Sequence, residues 1–270
     1  MNIPKLIYGT AWKKDETARL VELAVKSGFR AIDTACQPRH YNEKGIGDAL
    51  QNLYKEGFKR EEIFLETKFT PKDGQDLNNI PYNPEDSLEK QVLDSFEVSL
   101  KNLQTTYLDS YILHSPIFPF IHLMKVWKIF EGFYEEGKTK NIGISNCYDI
   151  RVLKALYKEA KIKPTILQNR FYKDSDYDKE LREFCKENNI TYLGFWTLSA
   201  NPHILGSEEV INLARKYKKT QAQIFYRFLT QIGVTPLNGT TSQEHMKEDL
   251  DIFSFELEKS DIKIISTFIN

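Results

Sequence analysis

The chain of 270 residues has a formal net charge of −1, with 41% apolar and 28% charged residues, the composition of an ordinary globular protein. Because acidic and basic side chains nearly balance, no overall field favours nucleic acid, an anionic membrane or an acidic partner. The three cysteines, Cys36, Cys147 and Cys185, are too few and too widely spaced to indicate a disulfide framework or a metal site.

The sequence shows no sign of a membrane segment. Its first residues lack a charged leader followed by a long apolar run, and no apolar stretch approaches the roughly 18 residues of a membrane helix. We therefore expect a cytoplasmic protein, in which free thiols persist. We also expect a monomer, because no exposed apolar stripe stands out in the helical patterns.

Short apolar runs bounded by turn residues recur along the chain, which is typical of buried parallel strands. Taken in chain order, the predicted strands are residues 6–9, 30–33, 63–68, 108–114, 141–145, 165–168, 191–195 and 234–237. Helical patterns occupy the intervals between them. The predicted helices are residues 15–27, 45–56, 84–103, 120–136, 148–160, 178–188, 208–218 and 220–231.

The clearest helical pattern follows the third strand. Asn83 is the predicted N-cap, Pro84 occupies the first turn, and an acidic residue follows. Apolar residues then recur every three or four positions as far as Leu103. The preceding residues, 70–83, are rich in Asp, Asn, Pro and Gly, which indicates a long surface loop.

Strands that alternate with helices predict parallel βαβ units, and this many units in 270 residues favours a single (β/α)8 barrel domain over residues 1–270. A doubly wound open sheet is the alternative. Such a sheet usually carries a glycine-rich GxGxxG turn after its first strand, whereas the first strand here ends in Tyr8-Gly9-Thr10-Ala11-Trp12.

Polar or aromatic residues close most of the predicted strands. They are Asp33, Lys68, His114, Ser145 with Asn146, Gln168, and Phe195 with Trp196. Barrel enzymes place their chemistry at these carboxyl ends of the strands. An aspartate, a lysine and a histidine on three consecutive strands therefore predict one shared site, in which buried charges must be paired.

Four segments in chain order resemble the aldo-keto reductase family. They are residues 33–43 (DTACQPRHYNE), 63–68 (IFLETK), 107–116 (YLDSYILHSP) and 141–146 (NIGISN). The resemblance continues through residues 167–169, 220–223 and 253–257, so it spans essentially the whole chain. It implies a barrel enzyme that reduces an aldehyde or ketone to an alcohol with a nicotinamide cofactor.

The resemblance implies a catalytic tetrad of Asp33, Tyr41, Lys68 and His114. Tyr41 would be the general acid, with a pKa lowered by the Lys68 ammonium, which Asp33 would hold. His114 would bind the substrate oxygen. The spacing from Asp33 to Tyr41 is longer than the family's usual one and looks like a variant found in fungal-type members. His40, the neighbour of Tyr41, is an alternative acid.

By the same resemblance, Ser145, Asn146 and Gln168 hold the nicotinamide carboxamide and Phe195 stacks on the ring. The loop 197–207, beginning with Thr197 and Leu198, lies along the pyrophosphate. Gly239, Thr240 and His245 stand where the family often has Lys, Ser and Arg around the 2′-phosphate of NADP, and Glu248 and Asp249 fall at the adenine. We expect NADPH to be the cofactor, with NADH possible because two cations are missing unless Lys247 compensates.

The expected substrate is a small carbonyl compound. Trp12, His114 and Ser115 are the predicted substrate contacts, and Phe118 and Phe120 are candidates for an apolar wall. Two other functions remain open at this point. Lys68 could form a Schiff base, as in barrel aldolases, or the chain could be a nicotinamide-binding regulatory subunit with little turnover.

Overall fold

A computed structural model describes residues 3–269 and contains a closed barrel of eight parallel strands. The strands are β1 Ile7–Gly9, β2 Ala31–Asp33, β3 Phe64–Phe69, β4 Ser110–Leu113, β5 Ile142–Ser145, β6 Ile166–Arg170, β7 Thr191–Phe195 and β8 Val234–Asn238. Each strand pairs with the next one in sequence, and β8 pairs with β1 to close the barrel. The predicted (β/α)8 architecture is confirmed, and the open sheet is excluded.

Helices surround the barrel. They are α1 Thr17–Ser27, α2 Glu43–Lys55, α3 Leu88–Leu103, α4 Phe120–Glu135, α5 Ile150–Glu159, α6 Lys179–Glu187, α7 Pro202–Leu205, α8 Glu208–Tyr217, α9 Gln221–Gln231, α10 Gln243–Leu250 and α11 Lys259–Ser266. The sequence patterns did not predict α7, α10 or α11. These helices have eight residues or fewer, and such short segments show too few turns for a helical period to be recognised. No helix within residues 3–269 is long and apolar enough to cross a bilayer.

Helix α3 begins at Leu88 rather than at the predicted Pro84. Ser87 is the N-cap, because its hydroxyl accepts a hydrogen bond from the backbone N–H of Lys90. Asn83 instead closes a turn, in which its side-chain oxygen accepts from the backbone N–H of Glu85. The Asn-Pro-Glu segment therefore folds as the end of the preceding loop, a role that the same residue types also favour.

The inside of the barrel divides into an apolar layer and a polar layer. The apolar layer consists of Ile7, Ala31, Phe64, Ile112, Ile166 and Leu193, all fully buried. Two residues nearer the carboxyl ends of the strands, the inward side chains are polar. They are Asp33 on β2, Glu66 on β3 and Gln168 on β6. The alternation of strand side chains thus stacks polar groups directly above a packed base.

Two glycines permit close approaches between neighbouring elements. A Cβ on Gly143 in β5 would lie 2.7 Å from the backbone oxygen of Ile166 in β6. A Cβ on Gly47 in α2 would lie 2.1 Å from the backbone oxygen of Asn102 at the end of α3. Helices α2 and α3 therefore pack more closely than any side chain at position 47 would allow.

Candidate active site

A cavity of about 920 Å³ opens at the carboxyl ends of the strands. Its walls include Asp33, Tyr41, Lys68 and His114 from the predicted tetrad, and they continue past Ser145 and Gln168 to the ends of β7 and β8. The volume lies within the range of pockets that hold small molecules and cofactors. The structure therefore brings the four predicted catalytic side chains into one space.

Lys68 is the fully buried cation of this site. Its Nζ donates to a carboxylate oxygen of Asp33 and, at 2.7 Å, to the backbone oxygen of Thr34. Burial acts to lower the pKa of Lys68, but the negative charge of Asp33 and the nearby Tyr41 and Glu66 outweigh it and raise the pKa. Lys68 therefore carries its positive charge at neutral pH and points it towards the cavity.

Tyr41 lies beside this ammonium, with the Lys68 Nζ 5.7 Å from the centre of its ring. Its position is set by the start of α2, where Asn42 caps the helix by accepting a hydrogen bond from the backbone N–H of Gly45. The carboxylate of Glu43 then accepts from the hydroxyls of Thr67 at 2.6 Å and Ser99 at 2.8 Å. Two residues after Tyr41, the chain is therefore bonded to both β3 and α3.

Burial raises the pKa of Tyr41 to about 12, and the Lys68 ammonium only partly opposes this effect. The sequence had led us to expect a pKa below the ordinary tyrosine value. That expectation is wrong for the folded protein, because removing a phenolate from water costs more than one nearby cation returns. Tyr41 thus holds its proton throughout the neutral range.

His114 faces Tyr41 across the cavity floor, with their ring centres 6.1 Å apart. Its Nδ1 lies 2.7 Å from the hydroxyl of Thr70, which leaves Nε2 as the nitrogen available to a ligand. Burial, with smaller contributions from Lys68 and His40, lowers the pKa of His114 to about 3. The imidazole is therefore neutral, and a proton donated by Thr70 to Nδ1 would place the ring proton on Nε2.

The three residues predicted to hold a carboxamide lie together at the ends of β5 and β6. Ser145 donates to the backbone oxygen of Gln168 at 2.6 Å, and Asn146 donates to the backbone oxygen of His114 at 2.8 Å. Gln168 donates its amide N–H to Asp33 at 2.8 Å, while its side-chain oxygen is buried and has no hydrogen-bond partner within the described residues 3–269. An unpaired acceptor beside a cavity fits a ligand that carries an amide N–H.

The end of β7 supplies the opposite wall. Phe195, Trp196, Thr197 and Leu198 all line the cavity, and the Thr197 hydroxyl is buried with no hydrogen-bond partner in the part of the chain that the structure describes. Trp196 adopts a left-handed backbone conformation, with φ of 57°, and half of its surface is exposed. The ring of Phe195 and the two unpaired polar atoms fit a flat heteroaromatic amide such as nicotinamide.

The predicted adenosine-phosphate residues cluster at the end of β8 and on α10. Gly239, Thr240, His245, Glu248 and Asp249 all line the cavity, whereas Lys247 is exposed and does not. Asp249 is buried and accepts a hydrogen bond from the side chain of Asn238. Burial, reinforced by the charge of Glu248, raises the pKa of Asp249 to about 7.

Only part of the predicted substrate wall lies at the cavity. Trp12 lines it and stacks against His40, with ring centres 3.9 Å apart. Ser115, Phe118 and Phe120 are not among its lining residues. Phe118 is 65% exposed, and Phe120 begins α4 and packs against the core. These two residues follow β4 in sequence, but their side chains do not line the cavity.

Several cavity residues were not predicted from the sequence. Gln37, Arg170 and Tyr226 belong to the walls, and Lys13 donates to the backbone oxygen of Gly239 beside them. Arg170 could have been predicted most easily, because it follows Gln168 by two residues and so lies on the same face of β6. Tyr226 lies on α9, where a helical pattern gives no sign that a side chain reaches the cavity.

The chain matches the sequence model of the Aldo/keto reductase family over residues 5–270. It is 33% identical to the glyoxal reductase of Bacillus subtilis (strain 168) over 248 residues, which cover 92% of this chain and 82% of that protein. It is 31% identical to prostaglandin F synthase 1 of Bos taurus, with 97% and 87% of the two chains covered.

The fold agrees with these sequence matches. The solved structure of MGS-M4, an aldo-keto reductase enzyme from a Medee basin deep-sea metagenome library, superposes with a TM-score of 0.84 and 30% identity. The superposition covers 99% of this chain and 92% of that one. The chain therefore belongs to the aldo/keto reductase family and is an oxidoreductase that acts on carbonyl or alcohol groups.

Proposed function

We propose that this enzyme reduces a small aldehyde or ketone to an alcohol, with Tyr41 as the general acid. The observation that carries the proposal is the convergence of Asp33, Tyr41, Lys68 and His114 in one cavity. Hydride addition leaves negative charge on the carbonyl oxygen, and a hydroxyl at that point can supply the proton. Tyr41, protonated at neutral pH and adjacent to a buried ammonium, has the properties that this step requires.

Each of the other three residues has a role that follows from its contacts. Lys68 stabilises the charge that develops on Tyr41 as its proton leaves. Asp33 keeps Lys68 charged and oriented. His114, neutral and fixed by Thr70, donates from Nε2 to the carbonyl oxygen and so aligns the carbonyl group. These contacts argue against Schiff-base chemistry, because a charged, carboxylate-paired Lys68 is a poor nucleophile.

A nicotinamide cofactor supplies the hydride when it is bound. Ser145, Asn146 and Gln168 would hold its carboxamide, Phe195 would stack on its ring, and Thr197 and Leu198 would lie along the pyrophosphate. Gly239, Thr240 and His245 would surround the adenosine phosphate, with Glu248 and Asp249 at the adenine. Since His245 is the single side chain among the first three that can become cationic, we propose that NADH is also accepted.

We further propose that the enzyme works as a cytoplasmic monomer on an uncharged carbonyl group at the tetrad. Its three cysteines are all buried and unpaired. Trp12 and His40 would contact the substrate from the β1 side, because their stacked rings border the tetrad. The presence of a glyoxal reductase among the relatives supports a small aldehyde as the substrate class.

The test is the loss of nicotinamide absorbance with NADPH and NADH in parallel, against the activated aldehyde 4-nitrobenzaldehyde. We expect wild-type turnover with NADPH and a fall of about 10²–10⁴-fold in kcat for Tyr41→Phe, with cofactor affinity retained. His40→Gln is the matched control, since its loss should be far smaller if Tyr41 is the acid.

Two outcomes would contradict the proposal. Cofactor binding without turnover on any aldehyde would favour a regulatory subunit. Irreversible labelling of Lys68 by borohydride in the presence of a carbonyl compound, abolished in Lys68→Met, would favour an aldolase.

A further inference from the structure

Arg170 is a cation of the cavity wall that the proposed chemistry does not use. It ends strand β6, two residues beyond Gln168 on the inward face, and it borders the cavity while remaining half-buried. Its backbone N–H donates to the hydroxyl of Tyr148 at 3.0 Å. That hydroxyl donates to Asn146 at 3.3 Å. Arg170 is thus fixed on the side of the cavity that carries the carboxamide residues.

Two aromatic rings hold the Arg170 side chain. The guanidinium carbon lies 4.1 Å from the centre of a Trp196 ring and 5.1 Å from the centre of the Tyr172 ring. Trp196 contacts it from a left-handed backbone conformation, which is rare for so bulky a residue. The rings restrict the guanidinium while leaving its edge without a partner.

No partner for this charge is found in residues 3–269. No carboxylate lies within 4.0 Å of the Arg170 side chain, and its Nε is buried without a hydrogen bond. Arg60 provides a contrast, because it donates to the carboxylate of Asp109 and to the backbone oxygens of Ile63 and Tyr107. A half-buried guanidinium with unused donors is typical of a site that an anionic ligand completes.

We propose that Arg170 binds an oxyanion of the ligand in this cavity, and that this oxyanion is a carboxylate on the carbonyl substrate. The inference rests on the proposed reductase function and specifies the substrate class as carbonyl compounds that carry a carboxylate. Asn146 links the two ends of the site, since its side chain donates to the backbone oxygen of His114 and accepts from Tyr148. Hydrogen bonds thus run from the backbone of His114 through Asn146 and Tyr148 to the backbone of Arg170. A substrate held at His114 by its carbonyl would extend its carboxylate towards Arg170.

Charge elsewhere in the cavity is consistent with this orientation. Glu248 and Asp249 border the cavity at the end of β8 and on α10, away from the β5 and β6 ends. A carboxylate would be repelled by Glu248 there, and by Asp249 when it is ionised, whereas Arg170 attracts it. A phosphate of the cofactor is the second possible source of an oxyanion, and the experiment below separates the two sources.

The experiment compares 4-carboxybenzaldehyde with its methyl ester, which differ in one negative charge on the same ring. Arg170→Met removes the charge and keeps an apolar side chain between the two rings. We expect the KM for the acid to rise about tenfold or more, since a charge-assisted hydrogen bond is lost, with a far smaller change for the ester. Arg170→Lys should restore part of the affinity. Arg215→Met, an exposed arginine on α8, is the matched control and should change neither KM.

Calorimetric titration with NADPH identifies the source of the oxyanion without relying on turnover. If Arg170→Met leaves the Kd for NADPH unchanged and raises the KM for the acid but not for the ester, the oxyanion belongs to the substrate. If Arg170→Met weakens NADPH binding and changes the KM for the acid and the ester equally, the oxyanion belongs to the cofactor phosphates. Unchanged values in both measurements would overturn the role of Arg170. Failure of the wild type to reduce the ester would instead count against the reductase function itself.

Discussion

The side chain of Gln168 on β6 donates a 2.8 Å hydrogen bond to Asp33 on β2, joining opposite sides of the barrel mouth. It therefore couples the residues that would hold the cofactor to the pair formed by Asp33 and Lys68. Gln168→Leu removes this bond and the unpaired acceptor together. We expect a loss of about 1–3 kcal/mol in the free energy of unfolding and a weakening of NADPH binding of about tenfold.

The control for this prediction is Gln91→Leu. Gln91 is another buried amide, which donates to the backbone oxygens of Pro84 and Asp86 outside the cavity. A similar stability loss with unchanged NADPH affinity in the control would show that the binding effect belongs to position 168. Equal binding by wild type and Gln168→Leu would contradict the assignment of Gln168 to the cofactor.

The pH dependence of the two reaction directions should differ. Tyr41, with a pKa of about 12, is protonated and His114, with a pKa of about 3, is neutral through the range between them. Reduction should therefore be nearly independent of pH from about 5 to 9, whereas oxidation, which needs the phenolate, should rise with pH. Measurements of kcat in both directions across this range test the point. A reduction rate that halves near neutrality in the wild type and in Asp249→Asn would mean that Tyr41 or His114 titrates there, since the pKa of Asp249 is about 7.

Thr70 should act on catalysis through His114. Its hydroxyl is 2.7 Å from Nδ1, and loss of that contact would free the ring to rotate and to exchange its proton between the nitrogens. Thr70→Val, which keeps the shape, should lower kcat by about tenfold with little effect on NADPH affinity. Thr70→Ser should recover most of the rate. If Thr70→Ser is as impaired as Thr70→Val, the effect is packing and not hydrogen bonding.

Cofactor preference should respond to His245. This residue is exposed at the start of α10, so a larger cation can be accommodated without disturbing the core. His245→Arg should raise the ratio of kcat/KM for NADPH over NADH by about tenfold, because a guanidinium makes charge-assisted bonds to a phosphate. Lys247→Met, in a residue that lies on the same helix but outside the cavity, should leave the ratio unchanged. If the NADPH to NADH ratio changes in Lys247→Met but not in His245→Arg, the phosphate contact belongs to Lys247 and not to position 245.

Two glycines in helices should respond in opposite ways to replacement by alanine, because Gly47 lies where α2 packs on α3 and Gly132 faces open space. Gly47→Ala would bring a methyl group to 2.1 Å from a backbone oxygen and should destabilise the fold by about 1–3 kcal/mol. Gly132→Ala in α4 meets nothing within 4 Å and should stabilise it by about 0.5–1 kcal/mol. Urea unfolding of both variants would measure the contrast, and equal effects would contradict the close packing.

Much of this architecture could be predicted from sequence, because buried strands are short apolar runs and their ends are marked by polar residues. The strand that ends at Phe195 was predicted to the residue, and the site residues at the ends of β2 and β3 followed from the same pattern. The start of α3 was placed too early, since Asn83-Pro84 suits both a turn and a helix cap. Local residue types could not decide between the two.

The parts of the site that sequence did not predict depend on contacts between distant segments. Nothing near Thr70 indicates that its hydroxyl meets His114 from another strand. The pKa of Tyr41 was predicted in the wrong direction because burial, a property of the folded cavity, outweighs the charge of Lys68. Phe118 and Phe120 were placed at the substrate by proximity in sequence, whereas Phe118 is exposed and Phe120 packs against the core.

The bonds from Glu43 to Thr67 and Ser99 have a consequence for how this enzyme could vary between relatives. They set the location of Tyr41 from its C-terminal side, while Thr34 and Cys36 are hydrogen-bonded to β3. The exposed residues 38 and 39 between these two anchored segments are under less constraint. Insertions or deletions at residues 38 and 39 would change the rim around Trp12 and His40 while the phenol stays in place. The length of this loop could therefore change, in evolution or by design, and reshape the cavity entrance without moving Tyr41.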